Sequence, residues 1–272
     1  MKIFNLTVAT LNLNSRRDRW RERRRLVVSQ LVAVQPALVA LQEVNLWRRQ
    51  GRWVRERVNY ELSGRIDQPY QLVRVRHPQL LKGEGVAIMT QLPLQTFDMV
   101  DLGYGRKALR VNVELPDGQG VDFVTVDLRP YVHDHEARLE QVLQLIGWLQ
   151  DFSRVPLQVV AGSFNEMPGQ LAIKQMKLSY RSAYEVAHRR EPWATYPTVL
   201  VPSERETGVC LDYLFISPGV AAVNGARLIG QEPADYDNRL YASDHVGLWA
   251  ALGIEPRRQE VVVPRRPDEF FY

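Results

Sequence analysis

Five short polar runs, each at the end of an apolar stretch, constrain the fold of this 272-residue chain more than any other feature. They read Thr-Leu-Asn-Leu-Asn, Leu-Gln-Glu-Val, Gly-Ser-Phe-Asn, Leu-Asp-Tyr and Ser-Asp-His, at residues 10–14, 41–44, 162–165, 211–213 and 243–245. A short apolar stretch is typical of a buried strand. The side chains that follow are of the kind that bind metal ions and phosphate groups. The sequence therefore indicates strands that carry reactive side chains at their tips.

Periodicity along the chain predicts strands and helices around these runs. Helices are predicted from a cap at Asp18 to a stop at Pro36, over 47–58, over 134–153 and near 169–177. Strands are predicted over 3–13, 38–41, 70–75, 85–89, 108–115, 121–128, 157–161, 211–216 and 246–254. This order predicts helices that cover a pair of packed sheets.

The domain organisation follows from the same pass. Residues 1–254 are expected to form one domain, because no linker, repeat or low-complexity tract divides them. Residues 255–272 are rich in proline and charge, and they form a tail that either packs as an extra strand or stays free.

Composition limits the class of protein. Hydrophobic residues make up 45% of the chain and charged residues 24%, which are ordinary globular values. Cys210 is the only cysteine, so an internal disulfide framework is excluded. No apolar run is long enough to span a bilayer, and the amino terminus lacks the apolar core of a secretory signal. We therefore expect a soluble, cytoplasmic protein.

Seven arginines crowd into residues 16–25, against only Asp18 and Glu22. A charge run of this kind is either a solvated helix face or an anion-attracting patch. The cluster closely follows Asn14, and this position favours a patch at the rim of the site. Arg16 and Arg17 are accordingly predicted to bind substrate phosphate.

Taken in order, the five runs resemble the endonuclease/exonuclease/phosphatase superfamily. These are metal-dependent hydrolases related to pancreatic deoxyribonuclease, abasic-site endonucleases, sphingomyelinases and inositol phosphatases. The resemblance covers residues 3–254 and implies an α+β fold, a four-layer αββα sandwich whose active site lies where strand ends of both sheets converge. It also implies phosphoester hydrolysis with Mg²⁺ or Mn²⁺, on a substrate such as nucleic acid or an inositol phosphate.

The resemblance assigns the metal to three residues. Glu43 stands where the family has its primary metal ligand, and Asn14 and Asp244 stand where the family places residues near the metal. A lone Glu at a strand tip is more often merely solvated. An Asn at a strand exit often serves turn chemistry. Five motifs in the family's order favour the functional interpretation.

Four residues match the positions that handle phosphate in the family. His245 would face the scissile phosphate, and Asp212 would hold and polarise that histidine. Asn165 would donate its amide to a phosphate oxygen, and Asn12 would orient the site. Arg138 and Gln141 echo an Arg-x-x-Gln pattern for which we predict a structural role.

Two positions depart from the family's pattern. Asp127 stands where a phosphate-contacting His is expected, and Ser163 stands where a water-orienting Asp is expected. An anion at Asp127 should repel a phosphate oxygen. Loss of the carboxylate at Ser163 removes a contribution of roughly 10²–10⁴ in rate. The number of carboxylates is kept while their placement changes, and we predict weakened activity.

Three explanations of these departures stay open. The site hydrolyses phosphoesters with altered geometry, and the metal has shifted toward Asp127. Alternatively, it is a silent module that binds a phosphorylated ligand or nucleic acid. In the third, a diverged or engineered serine-hydrolase site uses Ser163 as nucleophile and His245 as base, with an Asp behind the imidazole. The Gly-x-Ser-x-Gly context of a nucleophile elbow is absent.

The remaining histidines and several aromatic residues match no motif. We expect surface or local hydrogen-bonding roles for His77, His133, His135 and His188. We expect core packing for Trp47, Trp53, Trp193 and Tyr196.

Overall fold

The computed structural model describes residues 3–15, 19–78, 83–152, 154–200 and 208–256. The elements in chain order are β1 (Phe4–Asn12), α1 (Trp20–Val34), β2 (Leu38–Asn45), α2 (Gln50–Glu61), β3 (Gln71–Arg76), β4 (Glu84–Thr90), β5 (Leu94–Asp101), β6 (Lys107–Glu114), β7 (Gly120–Asp127), α3 (His135–Gln150), β8 (Leu157–Ser163), α4 (Leu171–Ser179), β9 (Arg181–Ser182), α5 (Ala183–His188), β10 (Asp212–Ile216), β11 (Ala222–Ile229) and β12 (Gly247–Ile254).

The strands form two six-stranded mixed sheets. Sheet A has the order β11-β12-β1-β2-β4-β3, and sheet B has the order β5-β6-β7-β8-β10-β9. In each sheet one central pair is parallel, β1 with β2 in sheet A and β7 with β8 in sheet B. The parallel pairs direct their carboxyl ends to one edge of each sheet, and the site is built at those edges.

Side chains of the central strands alternate between two cores. In β7, Phe123 packs in the core between the sheets, whereas Val124 and Val126 pack against α3 and α4. In β1, Leu6 faces the core between the sheets, and Leu11 packs with residues of α1 and α2. Because these strands are buried on both faces, they read as apolar runs. The predicted four-layer αββα sandwich is confirmed.

The predicted elements are present, with shifted ends. The helix predicted over 47–58 is α2, which begins at Gln50. The predicted cap Asp18 lies outside the described residues, and Arg19 occupies the N-cap of α1. Of the predicted tail, only 255–256 fall within the described ranges. None of the helices in those ranges is both long and apolar enough to cross a membrane.

Candidate active site

The strand ends of both sheets meet at one edge of the sandwich. Asn12, the last residue of β1 in sheet A, donates its amide to Ser163 Oγ of sheet B over 3.2 Å. Gln42 of β2, the register partner of Asn12, donates to Thr125 Oγ1 of β7 over 2.9 Å. Thr10 completes this buried polar layer by donating to Gln42. The polar runs at 10–14, 41–44 and 162–165 therefore converge, as predicted.

The backbone at this edge adopts conformations that favour glycine. Asn14, Glu43 and Asn165 have φ angles of 51°, 47° and 54°. The pairing of β2 with β4 shifts register between Leu41 and Val44, so Glu43 lies in a bulge that redirects its side chain. Left-handed residues that are not glycine cluster at functional sites because the surrounding structure must hold them there.

Gly162 is required by the close approach of two strands. Its φ is 149°, and a Cβ at this position would lie 2.0 Å from the carbonyl oxygen of Val126. The Gly of the Gly-Ser-Phe-Asn run therefore lets β8 pack beside β7 and sets the level at which Ser163 and Asn165 leave the strand.

His245, Asp212 and Ser163 form one hydrogen-bonded group. His245 Nδ1 lies 2.8 Å from Asp212 Oδ2, and Ser163 Oγ donates to Asp212 Oδ1 over 2.6 Å. The carboxylate therefore lies between the hydroxyl and the imidazole. A serine nucleophile needs the imidazole in that middle position, since the imidazole must take the hydroxyl proton. This geometry argues against Ser163 as a nucleophile activated by His245.

His245 is held as a cation. Burial alone would lower its pKa, but the charge and hydrogen bond of Asp212, followed by the charges of Asp244 and Glu43, outweigh burial and raise the pKa to about 10. The ring of Tyr196 packs at 4.8 Å from the imidazole, centre to centre. Tyr196 was expected in the core and belongs instead to the wall of the site.

Asp127 is surrounded by donors. Arg106 Nη1 lies 2.5 Å from Asp127 Oδ2, and His77 Nε2 lies 3.7 Å from the same oxygen. Asn165 donates its amide to Asp127 Oδ1 over 3.2 Å. Burial would raise the pKa of Asp127, but Arg106 and His77 hold it below its usual range. The repulsion of a phosphate oxygen expected from Asp127 is opposed by the charge of Arg106, which pairs with this carboxylate.

Three residues of the site were missed from the sequence. Arg106 also bonds Glu84 Oε1 at 3.3 Å, and Glu84 Oε2 accepts a hydrogen bond from Ser15 Oγ at 2.7 Å. His77 is buried beside Asp127 and accepts a hydrogen bond from the Lys107 N–H at 3.1 Å, so of the two roles expected for it the surface role is wrong. Arg106 and Glu84 stand at the beginnings of β6 and β4. A search for polar residues at the beginnings of predicted strands, as well as at their ends, could therefore have found Arg106 and Glu84.

Glu43 lies close to several other carboxylates, and its pKa is raised. Burial, followed by the charges of Asp127, Glu84 and Asp244, raises its pKa to about 7. Its two oxygens accept hydrogen bonds from the Asn12 amide at 3.3 Å and the Ser15 backbone N–H at 3.4 Å. A cation bound here would reduce the repulsion between Glu43 and the neighbouring carboxylates.

The donor chemistry fits a divalent ion of the magnesium type. Mg²⁺ is commonly held by one or two carboxylates and keeps several of its waters. Glu43 and Asp244 supply such oxygens, and the described residues contain no group of three or more His, Cys, Asp or Glu side chains arranged to hold a metal ion.

The arginines of the cluster that the structure describes do not form a single patch. Arg16 and Arg17 lie outside the described residues. Arg23 is buried and donates to the carbonyls of Leu13 and Asn14, which fixes the chain leaving β1. Arg24 and Arg25 line a groove of about 910 Å³ between α1 and α2. The prediction that the whole cluster rims the site is wrong for Arg24 and Arg25.

The roles expected for Arg138 and for the remaining histidines agree with the structure, and those expected for two tryptophans do not. Arg138 is buried and donates to three backbone carbonyls, which agrees with the structural role predicted for it. His135 and His188 make local contacts, with Glu166 and the Ala226 carbonyl. Trp47 and Trp193 are exposed, so core packing was wrong for them.

Comparison with known proteins agrees with this architecture. A model of the Endonuclease/Exonuclease/phosphatase family matches residues 9–245. Nocturnin from Xenopus laevis is 24% identical over 249 residues, which cover 85% of this chain and 64% of that protein. The chain thus spans less than two thirds of the length of this curated relative.

Two solved structures show the same fold. The human Nocturnin catalytic domain with bound sulfate anion has a TM-score of 0.72 at 20% identity, covering 91% of this chain and 93% of that one. TDP2 from D. rerio, complexed with single strand DNA product, has a TM-score of 0.72 at 19% identity, covering 91% and 98%. The family match spans most of the chain and includes every polar run, so the chain belongs to the endonuclease/exonuclease/phosphatase family.

Proposed function

We propose that this chain is a divalent-metal-dependent phosphodiesterase with reduced turnover. The observation that carries the proposal is the buried ion pair between His245 Nδ1 and Asp212 Oδ2, at 2.8 Å, beside the crowded carboxylate of Glu43. An imidazolium and a cation-seeking carboxylate in one pocket suit the charged transition state of phosphoryl transfer.

Each residue has a role in this proposal. His245 holds a proton on Nε2, because Asp212 occupies Nδ1, and donates it to the phosphoryl group or the leaving oxygen. Glu43, Asn14 and Asp244 would hold Mg²⁺ or Mn²⁺, which stabilises negative charge on the phosphoryl oxygens when bound. Asn12 holds the Glu43 carboxylate toward the site. Asn165 supports the pocket through its bond to Asp127.

Reduced turnover follows from the two departures. Ser163 donates its proton to Asp212, so it supplies no base for an attacking water. Asp127 is ionised, but Arg106 shares its charge and lowers its basicity. A positioned general base contributes roughly 10²–10⁴ in rate, and this contribution is missing here.

Hydrolysis of bis(p-nitrophenyl) phosphate tests the proposal. We expect slow turnover with millimolar Mg²⁺ or Mn²⁺ that disappears with chelator and in the His245→Ala variant. Turnover that survives chelation, or that equals the rate of His245→Ala, would contradict it.

The two alternative functions predict different outcomes in assays of metal binding, turnover and labelling. A silent phosphoryl-binding module would bind metal in calorimetry, lose that binding in Glu43→Gln, and show no turnover. A serine hydrolase would cleave p-nitrophenyl acetate without metal and be labelled at Ser163 by a fluorophosphonate. Because Ser163 donates to Asp212 and not to His245, we expect neither the ester cleavage nor the labelling of Ser163.

A further inference from the structure

Three loops that carry residues of the site also carry exposed apolar side chains. Arg106, Asp127 and Asn165 each lie within a few residues of such a side chain. The exposed fractions are 45% for Tyr104, 56% for Tyr131, 55% for Val132 and 40% for Met167. We call these four residues, together with Arg129, the rim surface. Exposed apolar clusters of this kind mark binding sites.

Chain continuity places the rim surface beside the pocket. Tyr104 precedes Arg106 by two residues, Tyr131 follows Asp127 by four, and Met167 follows Asn165 by two. Consecutive Cα atoms are about 3.8 Å apart, so each side chain is anchored within roughly 15 Å of a site residue. Chain continuity therefore limits how far a ligand must extend from the pocket to contact the rim surface.

Helix α3 holds the loops in place. Arg138 is buried and donates to the carbonyls of Arg129 at 3.0 Å, Tyr131 at 2.6 Å and Val132 at 3.0 Å. Its Nε donates to Glu166 Oε2 at 2.8 Å, which ties in the loop that carries Met167.

Gln141, one turn further along α3, joins the remaining loop. It accepts a hydrogen bond from the Arg129 N–H at 2.9 Å and donates to the Gly103 carbonyl at 3.3 Å, next to Tyr104. Two buried side chains thus order all three loops. This order lowers the entropy that a bound ligand would otherwise have to overcome.

The rim surface has the chemistry of a stacking platform. The Arg129 guanidinium lies 4.4 Å from the ring centre of Tyr131 and 5.9 Å from that of Tyr104. Asp134 fixes this guanidinium through Arg129 Nε at 2.6 Å. Planar guanidinium and aromatic groups are the partners on which unpaired nucleobases stack.

We propose that the rim surface binds the nucleobase next to the phosphate held in the pocket, so that the substrate class is single-stranded nucleic acid or a nucleotide. The inference rests on the proposed function for the location of the phosphate. Two tyrosines and a stacked arginine favour a planar ring over the acyl chain of a lipid, for which an aliphatic surface would suffice. An inositol phosphate offers no planar ring to this surface.

The test compares two probes of equal charge by calorimetry, in the presence of chelator. One is a 5′-phosphorylated thymidine pentanucleotide, and the other is the same backbone with abasic spacers. We expect the base-bearing probe to bind at least about fivefold tighter, the low end of what stacking on one aromatic residue supplies. Tyr131→Ala should remove this preference and Tyr131→Phe should keep it.

A matched control separates the rim surface from exposed tyrosines in general. Tyr60 is exposed on α2, and Tyr60→Ala should leave the preference unchanged. No preference for bases, no binding of the thymidine probe, or a preference that survives Tyr131→Ala together with Tyr104→Ala would overturn the proposal. Binding of phosphatidylcholine vesicles that Tyr131→Ala abolishes would do the same and reassign the surface to lipid.

The proposal and the proposed function fail separately. A base preference that depends on Tyr131, without hydrolysis of any phosphodiester, would leave the rim surface intact and remove the catalytic proposal. Metal-dependent hydrolysis without a base preference would do the reverse.

Discussion

The two sheets contribute differently to the site. Sheet A delivers Asn12 and Glu43, and His245 leads into its strand β12, all of which match the family's pattern. Sheet B delivers Asp127 and Ser163, and these are the two positions that depart from it. Sheet A thus delivers only positions that match the pattern, whereas sheet B delivers both a matching position, Asp212 of β10, and the two that depart.

The departures in sheet B are coupled by strand register. Ser163 pairs with Asp127 of the parallel strand β7 on one side and with Asp212 of β10 on the other. Neighbouring strands lie about 4.8 Å apart, so the two substitutions move one carboxylate sideways by a single strand. The row keeps two carboxylates, and each has donors.

The largest expected effect is on the proton donor shared by the two halves. We expect His245→Ala to lower metal-dependent phosphodiester hydrolysis roughly a thousandfold, within the range for a positioned acid–base residue. The measurement is kcat/KM with bis(p-nitrophenyl) phosphate. His188→Ala, which changes an exposed histidine, is the control. A loss of less than about tenfold would mean that His245 serves only the structure.

The next effect is a gain from restoring sheet B to the family's pattern. Ser163→Asp with Asp127→His should raise phosphodiesterase activity at least roughly a hundredfold, the low end of what a positioned base supplies. Arg106 would lose its ion pair with Asp127, keep the one with Glu84, and have more of its charge available to the phosphate. An unchanged rate in the double variant would show that these two positions are not the ones that limit turnover.

The single changes sharpen this prediction. Ser163→Asp alone would set a second carboxylate beside Asp127, its register partner in β7, and repulsion would raise the pKa of one of the pair. Asp127→His alone would place an imidazole between Arg106 and His77. Each single variant should be less active than the double variant, because only the double variant keeps the net charge of the row.

Sequence reasoning predicted the parts of the molecule whose signal is local. Strands β7 and β8 are apolar runs buried on both faces, and the polar residues at their tips follow directly. Edge strands β5 and β11 are largely or partly exposed, so they lack such a run and were not predicted. Their formation depends on the neighbouring strands more than on their own side chains.

The missed residues depend on register. The pairing of β6 with β7 begins at Leu109 and Thr125, and this register directs the chain before β6 toward the end of β7, where Arg106 contacts Asp127. The hairpin was predicted, but its turn was not assigned a geometry, and a shift of one residue would send Arg106 to the other face. His77 meets Asp127 across 50 positions of sequence and both sheets, and no spacing in the chain announces that contact.

A third prediction concerns stability and tests sheet A alone. The folded-state pKa of Glu43 is about 7, against an ordinary value near 4.5. Below pH 4.5 the group is protonated in both states and has no effect. As pH rises toward 7 the unfolded chain ionises first, so stability falls. A unit of pKa difference corresponds to about 1.36 kcal/mol.

Glu43→Gln should therefore stabilise the metal-free protein at pH 8 by on the order of 2 kcal/mol, after allowance for the partial exposure of this side chain. Urea unfolding with chelator at pH 4.5 and pH 8 measures the difference, which should vanish at the lower pH. In millimolar Mg²⁺ the order should reverse, because the ion stabilises only the parent chain. Equal stability of the two proteins at pH 8 would show that repulsion between Glu43 and the neighbouring carboxylates does not destabilise the fold.

The smallest effect concerns the two ends of the arginine cluster. Arg16 and Arg17 directly follow Ser15, whose N–H and hydroxyl bind Glu43 and Glu84, whereas Arg24 and Arg25 line the groove between the helices. Replacing either pair by alanine removes the same charge. Each phosphate neutralised on a single strand contributes about 0.7 to the salt slope, so Arg16→Ala with Arg17→Ala should flatten the slope for a thymidine oligonucleotide by about 1.4. Arg24→Ala with Arg25→Ala should leave the slope unchanged. Equal flattening by both pairs would mean that the nucleic acid responds to overall charge, and flattening by the second pair alone would move its path to the α1–α2 groove.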